Sequence, residues 1–383
     1  MKTFIKLIIF VAITICAFNQ STYAEEKIKI GLIVPLSGDN FLIGEKIIKS
    51  IRMAINKIND EKIEIIPRDT KSNPIDTLKV SKDLYQEGVR IIIGPVFNES
   101  TKYLDELKEV TFISFTNKLI DNPKNVISAG VNAISQIQTI KKFNNKNNLT
   151  KSIFLIPRSE FKKEIEIAIN KTNIKHKEVF YYDREPTKLT KQIEDLTNYQ
   201  LRKKNLEDEI QRLEGLSFKD KERKIQNLKK KDSLGNIDFD SVVIADFDEN
   251  LKSVATSLLY TDVSSKRISY ITLNQWFDES LLKETSLHPI YFPSINKDNF
   301  EIFKKEYIQN FKNKPNQISF LSYDLIGLVY YLLINNDFNT NENLFIEKNK
   351  FKGKIGIFEI NKKTITHQLN FYEIQGKNFK EIF

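Results

Sequence analysis

Cysteine is all but missing from this chain of 383 residues: the one cysteine, Cys16, lies inside an apolar run near the N-terminus. If that run is removed on export, the remainder has no disulfide, no thiolate nucleophile and no Cys-ligated zinc. Histidine is nearly as scarce. His176, His288 and His367 stand in unrelated segments, and no H-E-x-x-H, G-x-S-x-G or phosphate-loop pattern occurs. The 50 acidic residues are dispersed, so no pair stands out as a general acid and base. These absences argue against an enzyme; no catalytic residue, metal site or cofactor is expected. The formal charge of +9 comes from lysines mixed with acidic residues rather than from basic blocks. That pattern reads as solubility, with attraction to an anionic envelope surface as the sharper alternative, and it argues against nucleic acid as a partner.

What is present begins with an export signal. Lys2 and Lys6 precede an apolar run from Leu7 to Phe18, and Thr22-Tyr23-Ala24 forms a small-x-small site before Glu25. The run is short for a membrane span. Residues 1–24 are therefore predicted to be a signal peptide cleaved after Ala24, which places the protein in the periplasm. Ile15 stands where a lipidation signal needs a small residue, so no lipid anchor is expected at Cys16. About 360 residues remain, enough for two lobes with cores of their own.

Strand-like and helix-like segments alternate through this mature chain. Lys27–Pro35, Lys62–Pro67, Val89–Gly94 and Val110–Ser114 read as strands; Phe41–Ile58, Pro74–Glu87 and Ser100–Leu107 read as helices. Ile47, Ile48, Ile51, Ala54, Ile55 and Ile58 cover one helical face, and Gly88 suits a helix stop. After Asn125–Gly130 the series restarts: helix Ala133–Asn144, strand Ser152–Pro157, helix Glu160–Lys171, strand Lys177–Tyr182, then strands Ser241–Ala245 and Arg267–Thr272. Such repetition predicts parallel sheets with right-handed crossovers. Farther on, a strand ends in Ile290-Tyr-Phe-Pro-Ser294, helices cover Phe300–Phe311 and Ser319–Leu333, and two paired strands are expected at Lys354–Ile360 and His367–Ile374.

Residues 188–232 break this rhythm. Leu206, Ile210 and Leu213 recur at helical spacing between charges, Gly215-Leu-Ser217 interrupts, and Ile225 and Leu228 resume. The segment is predicted to be a long helix or a helical hairpin inserted in the second lobe. Its stripe of Leu206, Ile210 and Leu213 is either the seam of a solvated helix or a docking surface for a partner.

Several stretches carry a resemblance: Ile28–Gly44 with its Ser37-Gly38 turn, Ile91-Ile-Ile-Gly-Pro95 followed by Ser100-Thr101, Ile113-Ser-Phe-Thr-Asn117, and Tyr291–Leu333. In order and spacing the chain resembles leucine/isoleucine/valine-type substrate-binding proteins of ABC transporters. It resembles equally their non-transport relatives, the activators of penicillin-binding proteins. The Gly-Pro turn, Tyr291-Phe-Pro-Ser294, Ser322-Tyr323-Asp324 and Phe351-Lys-Gly before a Gly-Ile-Phe strand are similar to the activators. The resemblance implies a two-lobed α/β clamp of the type I periplasmic-binding fold, each lobe a parallel sheet flanked by helices. It assigns residues 25–130 plus 293–335 to lobe 1 and 131–292 plus 336–383 to lobe 2, with crossings near Ala129–Asn132, Tyr291–Ser294 and Asn335–Asp337. It implies a ligand cleft that uses Ser37, Asn98 and Ser100 in two turns, Thr116 after the fourth strand, Phe161 in the second lobe and Gln275 within Asn274-Gln275-Trp276. Asn98 stands where the amino-acid binders have a serine, and no acidic residue is evident for a ligand ammonium. The implied partner is a peptidoglycan synthase, regulated without catalysis, or alternatively an ABC permease to which an amino acid or related small molecule is delivered.

Overall fold

The computed structural model describes residues 27–340 and 342–383; the predicted signal peptide, with Cys16 and the cleavage site at Ala24, lies outside them. The chain opens with β1 (Ile28–Val34), α1 (Phe41–Ile58), β2 (Ile63–Asp69), α2 (Pro74–Gln86), β3 (Ile91–Ile93), β4 (Thr111–Ser114) and β5 (Val126–Ser128). These five strands form one parallel sheet in the order β2-β1-β3-β4-β5. Five consecutive residues of β1 are buried, as a strand covered on both faces requires. α1 turns Ile47, Ile51 and Ala54 inward, one face of a 3.6-residue period. Gly44 sets its approach: a Cβ there would lie 1.8 Å from the carbonyl oxygen of Pro35 at the end of β1. α2 starts where Asn73 accepts the N–H groups of Ile75 and Asp76 and Pro74 occupies the first position.

The helix predicted at Ser100–Leu107 is replaced by two 3-10 turns, Asn98–Thr101 and Leu104–Glu106. The Thr101 hydroxyl takes the Asn98 carbonyl at 2.7 Å, which favours i→i+3 closure over a continued α-helix.

The second lobe comprises α3 (Ala133–Lys146), β6 (Ser152–Pro157), α4 (Lys162–Thr172), β7 (Glu178–Tyr182), α5 (Pro186–Leu196), α6 (Tyr199–Glu214), α7 (Lys221–Leu228), β8 (Ser241–Ile244), α8 (Asp248–Tyr260), β9 (Ser269–Thr272) and β10 (Ile290–Ser294). The chain then returns to the first lobe with α9 (Lys297–Phe311), α10 (Gln317–Ile334) and an antiparallel sheet of β11 (Asn349–Lys352), β12 (Ile357–Asn361) and β13 (Thr364–Gln368). It ends with β14 (Asn370–Gln375) and β15 (Asn378–Glu381), which extend the second sheet to the order β15-β14-β10-β9-β8-β6-β7. α10 is long and apolar enough to cross a membrane, but it is a core helix of the first lobe: Phe320, Leu325, Ile326, Leu328 and Val329 are fully buried against the cluster that holds Ile30 and Ile47.

Two sequence-based boundaries change. Residues 336–369, assigned to the second lobe, pack with the first, because Ile355, Phe358, Ile360 and Ile365 join the same apolar cluster as α10 and β1. The third crossing accordingly lies at Leu369, not at Asn335–Asp337. The strand expected at His367–Ile374 is divided there: β13 pairs with β12, whereas β14 pairs with β10 of the other lobe. His367 and Asn132 tie the crossings together. His367 Nε2 donates to Ala129 O at 2.9 Å, and Asn132 Nδ2 donates to Ile365 O at 2.8 Å.

Residues 188–232 are not one insertion. α5 belongs to the lobe, since Leu189 and Ile193 are buried in its core. α6 and α7 form the hairpin. Tyr199, Leu206 and Leu213 of α6 and Ile225 of α7 are the buried apolar residues of that pair, and Ile210 is half-buried. The Leu206–Ile210–Leu213 stripe, read from sequence as either the seam of a solvated helix or a docking surface, is thus largely covered within the chain.

Candidate functional site

The two lobes face each other across a cleft of about 760 Å³. Its first-lobe wall is made by the turns after β3 (Val96–Asn98) and β4 (Phe115–Lys118) and by the first turn of α10. Its second-lobe wall is made by Phe247-Asp248 after β8 and by Asn274–Trp276 and Asp278 after β9, with Gln136 of α3 beside the first crossing. Each sheet thus contributes the loops at the carboxyl ends of its strands, where parallel α/β sheets leave a crevice.

The second-lobe wall is conformationally strained. Asp248 (φ 49°), Trp276 (φ 48°) and Phe277 (φ 59°) lie in the left-handed region without being glycine. The Asn274 side chain holds this turn: Oδ1 accepts Trp276 N at 3.0 Å and Ser294 Oγ at 2.8 Å, while Asn274 N donates to Gln136 Oε1 at 2.9 Å. Beneath it, buried Asp246 receives Tyr182 Oη at 2.8 Å and both Arg184 Nε (3.0 Å) and Arg184 Nη2 (2.8 Å). This fork fastens the ends of β7 and β8. Burial first, and then the Asp246 charge, raise the Tyr182 phenol far above its ordinary pKa.

Of the residues expected from sequence, Asn98, Thr116 and Gln275 line the cleft. Asn98 Oδ1 is buried without a hydrogen-bond partner. Thr116 Oγ1 accepts Lys118 N at 3.2 Å and shapes its own turn. Gln275 is spent on its surroundings: Nε2 reaches Asp246 O (3.3 Å), Thr272 Oγ1 (3.1 Å) and Leu273 O (3.3 Å). Ser37 is not at the cleft; it is exposed and donates to Asp69 Oδ2 at 2.5 Å. There it serves a turn: burial works against the Asp69 charge, but hydrogen bonds from Ser37, Leu36 and Lys71 outweigh it and lower the pKa. Ser100 is buried outside the lining, its Oγ unpartnered. Phe161 is exposed and meets the cleft only through Phe247, ring to ring at 6.4 Å.

Sequence reasoning missed the charged groups. Asp248 and Asp278 line the cleft, so acidic residues are present after all. Asp278 is committed to Ser280, whose N and Oγ it accepts at 2.9 and 2.6 Å. Among the described residues the Asp248 carboxylate has no hydrogen-bond or ion-pair partner, and the Lys118 ammonium on the opposite wall has no ion-pair partner. Asn274 Nδ2 is a further unpartnered buried donor. A signal for Asp248 existed, since it follows the strand at Ser241–Ala245 and opens a helix.

Residues 27–172 match the family described as periplasmic binding protein. No curated protein matches the chain. Among solved structures, a putative branched-chain amino acid ABC transporter protein from Rhodospirillum rubrum superposes with a TM-score of 0.69 at 12% identity, over 93% of this chain and 100% of its own. The C-domain of LpoA (YraM) from Haemophilus influenzae, a regulator of PBP1A, superposes with a TM-score of 0.63 at 11% identity, over 93% and 100%. An ABC transporter substrate-binding protein from Desulfitobacterium hafniense in complex with Leu gives a TM-score of 0.58 at 12% identity, over 93% and 100%. The chain has the type I periplasmic-binding fold, which these solved structures share.

Proposed function

We propose that this protein is an exported, non-catalytic binding protein whose lobes close over a small zwitterionic molecule, an amino acid or a close relative, for delivery to an ABC permease. The observation that supports this reading is that opposite charges line the two walls of one cleft. Lys118 on the first lobe suits a carboxylate, Asp248 on the second suits an ammonium, and the amides of Asn98 and Asn274 have buried atoms with no partner. Buried polar atoms are nearly always hydrogen-bonded, and these two belong to residues that line the cleft, where a polar ligand could partner them.

The test is a thermal-shift screen of amino acids and cell-wall fragments followed by calorimetry. A ligand that binds only the folded state raises the melting temperature. Asp248→Asn should weaken a zwitterion by about tenfold or more, the loss of one charge-assisted hydrogen bond, and leave the melting temperature of the free protein unchanged. Failure of every amino acid to shift the melting curve would remove this reading.

A second reading, regulation of a peptidoglycan synthase, is favoured by the α6–α7 hairpin, which a small-molecule clamp does not require. Exposed apolar side chains stand near its root: Leu201 (59%) on α6, and Leu259 (42%) and Tyr260 (55%) at the end of α8, beside Thr261, whose carbonyl accepts Arg202 of α6.

A further inference from the structure

Glu164 belongs to the second lobe but is held by the first. It stands in the first turn of α4 and is only 7% exposed. Its carboxylate accepts the backbone N–H of Leu119 at 3.1 Å (Oε1) and 3.2 Å (Oε2), and that of Ile120 at 3.3 Å (Oε1). Both donors lie in the loop between β4 and β5, in the first lobe. The same loop presents Thr116, Asn117 and Lys118 to the cleft.

The loop is shaped by bonds within its own lobe. Asn122 Nδ2 donates to Lys118 O at 2.8 Å and to Ser128 Oγ at 3.0 Å, and Ser128 Oγ donates to Lys118 O as well. Asp121 takes the left-handed conformation at φ 59°. These bonds stay within the first lobe and leave two adjacent main-chain N–H groups for the carboxylate.

We propose that Glu164 is an interlobe latch, a carboxylate that captures the Leu119–Ile120 amides when the lobes meet and so holds the clamp shut without ligand. With the lobes apart, the carboxylate and both amides face water. On closure they lose that water, and charge-assisted hydrogen bonds to main-chain donors replace it. The position of Glu164 in the first turn of a helix adds the favourable end of the helix dipole. Because the donors are backbone groups, the latch depends on one side chain only. Burial raises the pKa of Glu164, and the bonds from Leu119 and Ile120 oppose that rise. The inference needs no ligand and stands apart from the identity of the bound molecule.

The test measures the lobe-to-lobe distance in the absence of ligand. Cys16 is the sole cysteine, so a chain carrying Cys16→Ser, Lys108→Cys and Lys175→Cys takes one spin label on an exposed position of each lobe. Electron–electron resonance of the unmodified latch should show a predominant closed distance. Glu164→Ala should lower the closed-to-open ratio by about tenfold or more. Glu164→Gln keeps one acceptor oxygen and should fall between the two. Circular dichroism checks that each variant is folded; if the alanine variant is not, the glutamine variant decides. A ligand-free protein found open with Glu164 intact, or distance distributions unchanged in the folded variants, would overturn the proposal.

Discussion

Asp324 illustrates how a buried carboxylate can fasten a loop at a cost in stability. It sits inside α10, 3% exposed, and accepts Ile355 N at 2.6 Å. Gly353 allows this approach, since a Cβ there would lie 2.3 Å from Asp324 Oδ2. Burial raises the Asp324 pKa to about 6, against the opposing bonds from Ile355 and Lys354. The folded value is above the unfolded one, near 3.8, so the native state binds more protons between them. Its contribution is therefore greatest below about pH 4 and is lost as pH rises through about 6. Asp324→Asn keeps an oxygen for Ile355 and removes the titration. Urea melts should find the variant more stable than the parent at pH 7, by roughly 1–3 kcal/mol, and level with it near pH 4. An equal difference at both pH values would show that the charge is not responsible.

The α6–α7 hairpin is joined to its lobe at the root. Arg202 is buried there; Nη2 donates to Ser233 Oγ at 3.0 Å and to Thr261 O, and Gly235 lies against its stem. Beyond the root, Leu206 and Leu213 are buried where α6 meets α7, not in either lobe core. Replacing residues 206–228 with a short Gly/Ser linker should therefore leave the melting temperature within a few degrees, because shortening a surface loop changes its closure entropy by only about a kcal/mol or less. Arg202→Ala, by contrast, should destabilise by about 1.5–3 kcal/mol through the lost charge-assisted bonds. The same element separates the two functional readings. If the protein regulates a peptidoglycan synthase, Leu201→Glu with Tyr260→Glu should abolish capture of that synthase in a pull-down while amino-acid affinity persists. Capture that survives both changes would leave the hairpin root without that role.

The lobes are joined by three short crossings, and the buried His367 sits where the first and third meet. It is buried beside Ala129, its Nδ1 has no partner, and burial lowers its pKa to about 4 in spite of the bonds to the first crossing. The folded value lies below the unfolded one, near 6.5, so the unfolded state binds more protons between the two. Its contribution is full above about pH 6.5 and is lost as pH falls toward 4. Hydrogen exchange should show that acid first loosens residues 129–132 and 364–369, where the crossings meet, before the strands of either sheet. Uniform loss of protection across both lobes would contradict this order.

Much of this architecture was already present in the linear pattern. The period of Ile47, Ile51 and Ala54, the Asn73-Pro74 helix start and the continuous apolar strands are local properties, so the α/β class and most element positions followed from sequence. Asn98, Thr116 and Gln275 were implied by the resemblance alone, and they line the cleft because each follows a strand of a parallel sheet. Other features depend on contacts between distant segments, which no local period encodes. Ile355 to Ile365 belong to the first lobe because α10 offers them an apolar surface, and Ser37 is outside the cleft because Asp69 claims it. Leu206 and Leu213 are covered because α7 folds back on α6. The opposition of Lys118 and Asp248, 130 residues apart in the chain, and the grip of Glu164 on Leu119 and Ile120 arise only when two separately built lobes meet.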